Sequence, residues 1–467
     1  MAMSKGRILK KVSTLLFCVL ALGMVFQGVG RSIKPDRLSP LSGPFTIDIH
    51  PKVALMGTPF SLTLTGLKPG EHVTVKAQST DKRGKLWQSS AVFIASSLGA
   101  VDVSQQAPAS GSYSGADIFG LLWSMKSQDP QAKRPTSYAQ DEISGWTVNF
   151  LAQDASGKTV SAGLRRVYQM PEQALVRIPL EKDGMHGFLY YPAEGGPFPG
   201  VLILGGSNGG LYEWLAQAFA SNGFAALTLA YFKYLDLPSE LVEIPLEYFH
   251  RAVAWMKGQA MVRAERLGVA GGSKGGELAL LLASHFDDFQ AVVAWTPAAH
   301  AWEGLSQKFF SADYVPVSSW ALNGRALPFV QFKFFPEEKE KEMKGELNSF
   351  VAAHERSLIQ GDPAMIQQAT IHVEKIKAPI LLISGTEDQT WPADEFCRDI
   401  VAKLQKVRFA YEVRHISHEA AGHQSFLPYL ITANTPAISG GSDRANSAAG
   451  FLSWRETIAF LQRHLGR

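Results

Sequence analysis

The stretch Leu267-Gly-Val-Ala-Gly-Gly-Ser-Lys-Gly-Gly-Glu277 decides how the rest of the chain is interpreted. An apolar run ends in a glycine cluster with Ser273 at its centre, and a helical pattern of leucines follows at once. This order predicts a strand, a sharp turn with a serine at its tip, and a helix, because glycine allows positive φ and close backbone approach. Such a turn can present a nucleophile, or it can be an ordinary glycine-rich turn with a solvated serine.

A second stretch matches the same G-x-S-x-G pattern. Gly205-Gly-Ser-Asn-Gly209 also follows an apolar run. The motif alone does not choose between Ser207 and Ser273, because both sit at the centre of a glycine cluster. The choice depends on the order of the strands around them.

From Val176 onward, apolar strand-like runs alternate with helical patterns. The strand runs lack polar alternation and are rich in valine, isoleucine and leucine, as in parallel sheets covered on both faces. Helical crossovers between them predict a doubly wound α/β domain at 173–467, and the serine turn identifies it as an α/β-hydrolase. An aromatic stretch with a charged run interrupts the alternation at 296–376, and we expect it to form a cap over the active site. The predicted strands are Val201–Leu204, Ala225–Leu229, Leu267–Ala270, Ala291–Trp295 and Pro379–Ser384, and the predicted helices are Leu211–Ser221, Pro245–Gly258, Gly276–His285 and Asn446–Leu465.

Strand order separates the two serines. In this fold the nucleophile strand is central and follows earlier parallel strands, whereas the oxyanion loop follows an earlier strand. Leu267–Ala270 has two predicted parallel strands before it, and Val201–Leu204 has only a hairpin. Ser273 is therefore predicted to be the nucleophile, and Gly205–Gly210 is predicted to be the oxyanion loop. The backbone amides of Ser207 and Lys274 are the predicted oxyanion donors, since this task needs N–H groups aimed at a developing alkoxide.

A serine nucleophile needs a base, and the base needs an acid that orients it. In the hydrolase order the acid follows a late strand and the histidine comes further on. Glu387 and Asp388 both stand just past such a strand, and Asp388 is preferred although spacing alone does not decide. Among His415, His418 and His423, the last is preferred as the base because it follows small residues that leave its ring accessible.

The first part of the chain, at 44–172, has a different pattern of polar and apolar residues. Short segments of alternating polar and apolar residues are separated by glycine-containing and charged turns, without a convincing amphipathic helix. This pattern predicts an all-β, antiparallel, immunoglobulin-like sandwich domain. Its predicted strands are Phe45–His50, Phe60–Leu67, His72–Thr80, Leu86–Ala95, Gly99–Ser104, Trp146–Asp154 and Thr159–Tyr168.

The N-terminal residues 1–30 have the features of a secretory signal. A basic region precedes an apolar run at 12–26, and the small residues Gly28 and Gly30 could frame a cleavage site. The run is short for a membrane span, which needs about 20 apolar residues. We therefore expect export to the periplasm or the cell exterior, with an uncleaved membrane anchor at 12–26 as the alternative. A linker at 31–43 follows.

Composition excludes several classes of function. The formal net charge of the 467 residues is +3, and the first thirty residues hold four basic and no acidic residues, which leaves 3 − 4 = −1 for the remainder. This balance does not indicate nucleic-acid binding. Cys18 lies in the signal, and Cys397 lies in a helical apolar pattern that predicts a buried core thiol. No metal-binding motif is present, no cofactor is implied, and we expect a monomer or small homo-oligomer whose partner is its substrate.

Several longer motifs, taken together and in order, resemble one family: the acyl-CoA thioesterases and bile acid-CoA:amino acid N-acyltransferases. The resemblance extends from about Asp48 to Leu465 and includes both predicted domains. The motifs that carry it are Leu64–Gly70, Gly120–Ser124, Phe198–Leu211, Leu229–Pro238, Leu246–Phe249, Ser273–Leu278 and Gly441–Asn446.

The resemblance implies a catalytic triad at Ser273, Asp388 and His423, the residues that strand order and spacing also favour. The amino-acid-conjugating members carry cysteine as the nucleophile, whereas serine is typical of the hydrolases. The resemblance therefore implies a serine hydrolase that cleaves acyl thioesters through an acyl-serine intermediate and releases free fatty acid.

The predicted export signal departs from the family, whose known members act on CoA thioesters inside cells. The resemblance therefore supports the chemistry better than the identity of the substrate. The alternatives are an N-acyltransferase that uses an amino acid as acceptor, an exported carboxylesterase, and a non-catalytic binding protein on the same fold.

Overall fold

The computed structural model describes residues 43–129, 138–139, 144–309, 311, 314–428, 431–432 and 437–466. Pro40–Arg467 form one compact unit. The predicted signal, its anchor alternative and nearly all of the linker lie outside the described residues, so export stays a prediction. Among the residues that are described, no helix is both long and apolar enough to cross a membrane.

The alternating sequence of the first part of the chain forms β-strands that bury every second side chain. In the strand His72–Thr80, for example, Val73, Val75 and Ala77 are fully buried and the residues between them are not. The elements are β1 (Thr46–His50), β2 (Val53–Leu55), β3 (Ser61–Thr65), β4 (His72–Thr80), β5 (Leu86–Ile94), β6 (Val101–Asp102), β7 (Ser110–Gly111), α1 (Gly120–Trp123), β8 (Lys126–Ser127), β9 (Trp146–Gln153) and β10 (Thr159–Val167).

Within the described residues these strands form two sheets. One has the order β1-β3-β6, and the other has the order β2-β10-β9-β4-β5-β7, with β8 also paired to β5. A β domain ahead of the catalytic part is thus confirmed, while its immunoglobulin-like character stays a prediction. Strand β2 was not predicted from the sequence, and it departs from the predicted antiparallel arrangement because it pairs parallel to β10. The short sequence Val-Ala-Leu of β2 carries no signal of its direction.

The remainder of the chain alternates strands and helices. Its strands are β11 (Leu175–Lys182), β12 (Met185–Pro192), β13 (Phe198–Leu204), β14 (Ala225–Ala230), β15 (Ile244–Pro245), β16 (Val262–Gly272), β17 (Ala291–Trp295), β18 (Trp320–Leu322), β19 (Arg325–Ala326), β20 (Ile380–Gly385) and β21 (Val413–His418). Its helices are α2 (Glu213–Ser221), α3 (Leu246–Lys257), α4 (Lys274–His285), α5 (Pro336–Met343), α6 (Val351–Gln360), α7 (Pro363–Ala369), α8 (Ala393–Lys406) and α9 (Asp443–Leu465), with 3₁₀ turns at Val373–Lys375 and Ala437–Ser439.

The main sheet has the strand order β11-β12-β14-β13-β16-β17-β20-β21. The strands from β14 to β21 are parallel, and β11 and β12 are antiparallel to their neighbours. Every residue of β14, β17 and β20 is buried, as expected for strands covered on both faces. This order, with the serine turn after the central strand β16, is that of an α/β-hydrolase and confirms the predicted fold class.

Helices cover both faces of the sheet. Side chains of α3, α4 and α8 pack in the core on one face, and those of α2 and α9 pack on the other. Helix α9 begins at Asp443 rather than at the predicted Asn446, because the Ser442 side chain caps it by accepting the Ala445 amide. The same helix contacts the β domain, where a Cβ on Gly57 would lie 2.2 Å from a ring atom of Trp454.

The predicted cap at 296–376 contains β18, β19 and helices α5, α6 and α7. Strand β18 pairs with β19 and also with β15, which precedes α3. This small sheet attaches the insertion to the body of the catalytic part. The exact domain boundaries given above stay predictions.

Candidate active site

Ser273 stands at the tip of the turn between β16 and α4. Its backbone has φ 57° and ψ −125°, a sparsely populated conformation that costs on the order of 1–3 kcal/mol for a residue with a side chain. The Ser273 amide donates to the carbonyl oxygen of Trp295 at 2.9 Å, which fixes the turn against β17. Ser273 is left partly exposed while its neighbours Gly272 and Lys274 are buried. The turn therefore has the strained geometry of a nucleophile elbow.

The glycines of this turn are required by close approach of the backbone. A Cβ on Gly271 would lie 2.1 Å from the carbonyl oxygen of Gly275, and one on Gly275 would lie 2.6 Å from that of Leu204. Neither glycine has a positive φ; the left-handed backbone falls on Ser273 itself. Of the two reasons expected from the sequence, close backbone approach is confirmed for these glycines and positive φ is not. They allow β13, β16 and α4 to approach one another.

The loop after β13 passes directly beside Ser273. A Cβ on Gly206 would lie 3.5 Å from the Cβ of Ser273 and 3.2 Å from the carbonyl oxygen of Gly272. The next amide in the loop is that of Ser207. The amide of Lys274 is the first of α4 and has no acceptor one turn earlier in the helix. One predicted oxyanion donor thus belongs to the elbow, and the other belongs to the loop that passes beside it.

Two hydrogen bonds with the residues that follow β14 hold this loop in place. The hydroxyl of Tyr231 donates to the carbonyl oxygen of Gly205 at 2.5 Å. The amide of Gly210 donates to the carbonyl oxygen of Phe232 at 3.0 Å. Both ends of the loop are therefore anchored at the end of β14, which orients its amides before any substrate binds.

Asp388 and His423 are joined by a hydrogen bond. His423 Nδ1–H donates to Asp388 Oδ2 at 2.7 Å. The other carboxylate oxygen accepts the amides of Thr390 at 2.8 Å and Trp391 at 3.2 Å. Both side chains are buried, and this arrangement leaves Nε2 of the imidazole as the proton acceptor.

The loop that carries His423 packs against the elbow. A Cβ on Gly272 would lie 2.8 Å from the ring of Phe426, and that ring stacks on Trp295 with centroids 5.3 Å apart. The hydrogen bonds of the described residues do not include one between His423 and Ser273. Catalytic hydrogen bonds commonly close only when substrate is bound, so the arrangement is compatible with the predicted triad.

The other candidate residues are placed elsewhere. His415 and His418 lie on β21, where their Nε2 atoms are 2.7 Å from Ser384 Oγ and 2.8 Å from Ser453 Oγ respectively. Ser384 is fully buried, so its contact with a histidine is structural. Glu387 is exposed. Among the histidines and acids that the sequence offered, the structure pairs only His423 with Asp388.

A buried ion pair directly follows Ser273 and was not predicted from the sequence. Lys274 Nζ lies 2.7 and 2.8 Å from the two carboxylate oxygens of Glu277. The indole N–H of Trp320 donates to Glu277 Oε1 at 2.6 Å, and the amide of Trp302 donates to it at 3.2 Å. Burial lowers the pKa of Lys274 and raises the pKa of Glu277, and each charge opposes the shift of the other. The pair ties the cap to the first turn of α4, and its i, i+3 spacing was the available signal.

Replacing Lys274 by methionine is expected to destabilise the protein by about 3–5 kcal/mol, because it leaves the Glu277 carboxylate buried without a counter-charge. The double variant Lys274→Met, Glu277→Gln should recover at least half of that loss, since glutamine still accepts from Trp320. As a matched control, Glu340→Ala breaks an exposed i, i+4 pair with Lys344 and should cost less than about 0.5 kcal/mol. Urea unfolding of the four proteins measures these differences, and equal losses in the single and double variants would contradict the role of the charge.

Buried aromatic side chains pack beside His423. The ring of Trp391 lies between His423 and His354, with centroid distances of 5.8 and 5.9 Å. His354 also contacts Trp302 of the cap at 4.5 Å and donates from Nδ1 to the carbonyl oxygen of Phe350 at 2.8 Å. Burial lowers the pKa of His354 to about 3, so this histidine is neutral. These three side chains are therefore a buried, uncharged cluster next to His423.

Two further sequence expectations concern metals and the cysteine. Across the described ranges, no group of three or more His, Cys, Asp or Glu side chains could hold a metal ion. Cys397 is fully buried on α8, and burial raises the pKa of its thiol. The prediction that Cys397 is a core residue is confirmed.

Comparison with known families finds matches in both parts of the chain. The model described as "BAAT / Acyl-CoA thioester hydrolase C terminal" matches residues 244–467. The model described as "Acyl-CoA thioester hydrolase/BAAT N-terminal region" matches residues 57–179. The two matches stand in the order that the sequence motifs indicated.

Curated relatives align over most of the chain. Acyl-coenzyme A thioesterase 1 of Homo sapiens is 28% identical over 420 residues, which cover 87% of this chain and 94% of that protein. Acyl-coenzyme A thioesterase 1 of Rattus norvegicus is 27% identical with the same coverage. The peroxisomal succinyl-coenzyme A thioesterase of Mus musculus is 27% identical over 421 residues and is covered equally well.

Solved structures give weaker likenesses. A puromycin-hydrolyzing peptidase of Mycobacterium tuberculosis matches with a TM-score of 0.39 and 15% identity, over 86% of this chain and 54% of that one. The 2,6-dihydroxy-pseudo-oxynicotine hydrolase matches with a TM-score of 0.38 and 17% identity, over 62% and 68%. At these TM-scores the likenesses add nothing to the fold assigned from strand order.

Proposed function

Because the chain belongs to the BAAT / acyl-CoA thioester hydrolase family, we propose that it hydrolyses acyl-CoA thioesters as a serine hydrolase. The observation that carries the proposal is the hydrogen bond between Asp388 and His423, in a loop packed against the Ser273 elbow. A buried acid, an oriented imidazole and a serine on a strained turn are the parts that acyl transfer to a serine needs.

In the proposed mechanism His423 Nε2 accepts the proton of Ser273 Oγ as that oxygen attacks the thioester carbonyl. The amides of Ser207 and Lys274 donate to the oxyanion, and each such donor is worth about 3–4 kcal/mol in the transition state. The C–S bond then breaks, and the departing thiolate takes the proton from the imidazolium.

The second half of the reaction repeats these steps with water. His423 deprotonates a water molecule, which attacks the acyl-serine carbonyl. The bond between the acyl carbon and Ser273 Oγ breaks, the free acid leaves, and the serine regains its proton from the imidazolium. Asp388 keeps the imidazole in the required tautomer throughout.

The buried, uncharged rings of Trp391, Trp302 and His354 next to His423 support an apolar acyl group as the part of the substrate on that side. Ser273, rather than cysteine, supports water over an amine as the final acceptor. The predicted export signal makes an ester of a similar acid the main substrate alternative, since CoA esters are not expected outside the cytoplasm.

A hydrolysis screen of the purified protein across acyl-CoA and p-nitrophenyl ester chain lengths tests the proposal. We expect thiol release from acyl-CoA with at least a tenfold higher kcat/KM for a long-chain than for an acetyl donor, because about 0.8 kcal/mol is available for each buried CH₂ group. Adding glycine or taurine should leave the yield of free acid unchanged. Turnover of esters without turnover of CoA thioesters would overturn the substrate, and amine-dependent conjugates would overturn hydrolysis.

A further inference from the structure

A cavity of about 740 Å³ opens beside the oxyanion loop and has no role in the steps above. Its wall includes the loop stretch 208–212, then Lys233 and Tyr234 after β14, and Lys82 from the β domain. Lys82 lies in the turn between β4 and β5. The cavity is thus shared by the catalytic part and the β domain.

The wall of this cavity is positively charged. Lys82 and Lys233 are exposed, and in the described part of the chain neither ammonium group has an ion-pair partner. The one carboxylate in the wall, Glu213, is already paired with Arg177 at 2.9 Å and accepts from the hydroxyl of Tyr190. The first residues of α2 also line the cavity, and a helix N-terminus adds positive potential. A dianion placed here would be attracted by the two lysines and by the N-terminus of α2, while the charge of Glu213 is offset by Arg177.

The cavity adjoins the loop that carries Ser207. A Cβ on Gly209 would lie 3.0 Å from the Cβ of Lys233, so that lysine packs directly on the oxyanion loop. Ser207, whose amide is a proposed oxyanion donor, precedes the cavity wall by one residue. A molecule whose carbonyl sits beside Ser273 could therefore extend a polar arm along the loop into the cavity.

Two features near the predicted triad differ in charge. The buried rings of Trp391, Trp302 and His354 next to His423 are uncharged and match an apolar acyl group, whereas the cavity beside Gly209 is cationic and matches an anion. An acyl thioester with a phosphorylated leaving group has these two halves, and phosphates are recognised by lysine ammonium groups as point charges.

We propose that this cavity binds the phosphate-bearing arm of the leaving group, with Lys82 and Lys233 neutralising its phosphates. The inference rests on the proposed thioester hydrolysis and adds to it a binding site and a task for the β domain. Because Lys82 comes from the β domain, that domain contributes directly to the choice of acyl donor.

Binding of free CoA to the Ser273→Ala protein tests the site without turnover. We expect the Kd, measured by calorimetry at 50 mM salt, to rise about fivefold for Lys82→Ala and for Lys233→Ala, and about 25-fold for both together. The matched controls Lys76→Ala on β4 and Lys182→Ala on β11 remove exposed lysines outside the cavity and should leave the Kd unchanged. Raising the salt to 500 mM should weaken binding and reduce the differences between variants.

A pair of substrates distinguishes this inference from the proposed function. For one acyl chain, kcat/KM is compared for the CoA thioester and for the N-acetylcysteamine thioester, which lacks the phosphates. The ratio of the two values should fall about 25-fold in Lys82→Ala, Lys233→Ala and stay at the wild-type value in the two control variants. An unchanged ratio and an unchanged Kd in the double variant would overturn the site while thioester hydrolysis stands.

Two other outcomes would also test the proposed phosphate site. CoA binding that depends on both lysines, in a protein that hydrolyses only esters, would support the cavity as a phosphate site and overturn the proposed thioester hydrolysis. Inorganic pyrophosphate that binds as tightly as CoA, and fails to compete with the CoA thioester in turnover, would overturn the leaving-group assignment.

Discussion

Replacing Ser273 by alanine is expected to lower kcat for acyl thioester hydrolysis by about a million-fold, because no acyl-enzyme can form. The expected residual rate comes from the amides of Ser207 and Lys274 and from substrate binding, which do not depend on the hydroxyl. Alanine keeps the Cβ that the strained backbone at φ 57° already accommodates. We therefore expect the free energy of unfolding to change by less than about 0.5 kcal/mol.

A fluorophosphonate label measures this prediction independently of the natural substrate. The wild-type protein should take up one equivalent, and Ser273→Ala should take up none. Ser207→Ala is the matched control, since it alters the other G-x-S-x-G stretch while keeping the backbone amide. If Ser207→Ala lost the label and Ser273→Ala kept it, Ser207 would be the nucleophile and the roles of the two loops would be reversed. If neither variant were labelled, labelling would depend on both serines.

The choice between these two serines could be made from sequence because strand order is a topological property. Each apolar run of the parallel sheet is bounded by glycines or helical patterns, so β13, β14 and β16 could be counted along the chain. In the structure β16 is the central strand and β13 lies beside it. The elbow and the oxyanion loop are therefore neighbours, and a Cβ on Gly206 would come within 3.5 Å of Ser273.

Strand β21 could not be recognised in the same way. Its residues Val-Arg-His-Ile-Ser-His include polar side chains on both faces, because it is the edge strand of the sheet and is only partly buried. No strand was therefore predicted at His415 and His418, and His423 could be preferred over them only because it follows small residues. Only the hydrogen bonds of the folded chain assign each histidine to its own partner.

The contacts of the cap also could not be predicted from the sequence. Glu277 could be placed one turn into α4, but its partners Trp302 and Trp320 come from an insertion without regular periodicity. The same is true of Lys82, which lies about 150 residues before Lys233 in the chain and reaches the same cavity. Such contacts between residues far apart in the sequence depend on how the β domain and the cap pack against the rest of the protein. No local sequence pattern indicates that packing.

Replacing Asp388 by asparagine is expected to lower kcat about 10⁴-fold. Asparagine can still accept the amides of Thr390 and Trp391, so the loop should keep its shape. Its amide group, however, can donate to His423 Nδ1, which would place the imidazole proton on Nε2. That tautomer cannot accept the proton of Ser273, and it offers no negative charge to stabilise the imidazolium. Thiol release under substrate saturation measures the loss.

Glu387→Gln is the matched control, because Glu387 is the neighbouring acid, is exposed and was the other candidate from sequence. We expect its kcat to remain within about twofold of wild type. The kcat of the double variant Asp388→Asn, His423→Ala should lie within about tenfold of the kcat of His423→Ala alone. Residues that act as one unit do not give multiplying losses when both are replaced. Independent, multiplying losses would show that Asp388 does not act through His423, and a loss confined to Glu387→Gln would move the acid to the exposed residue.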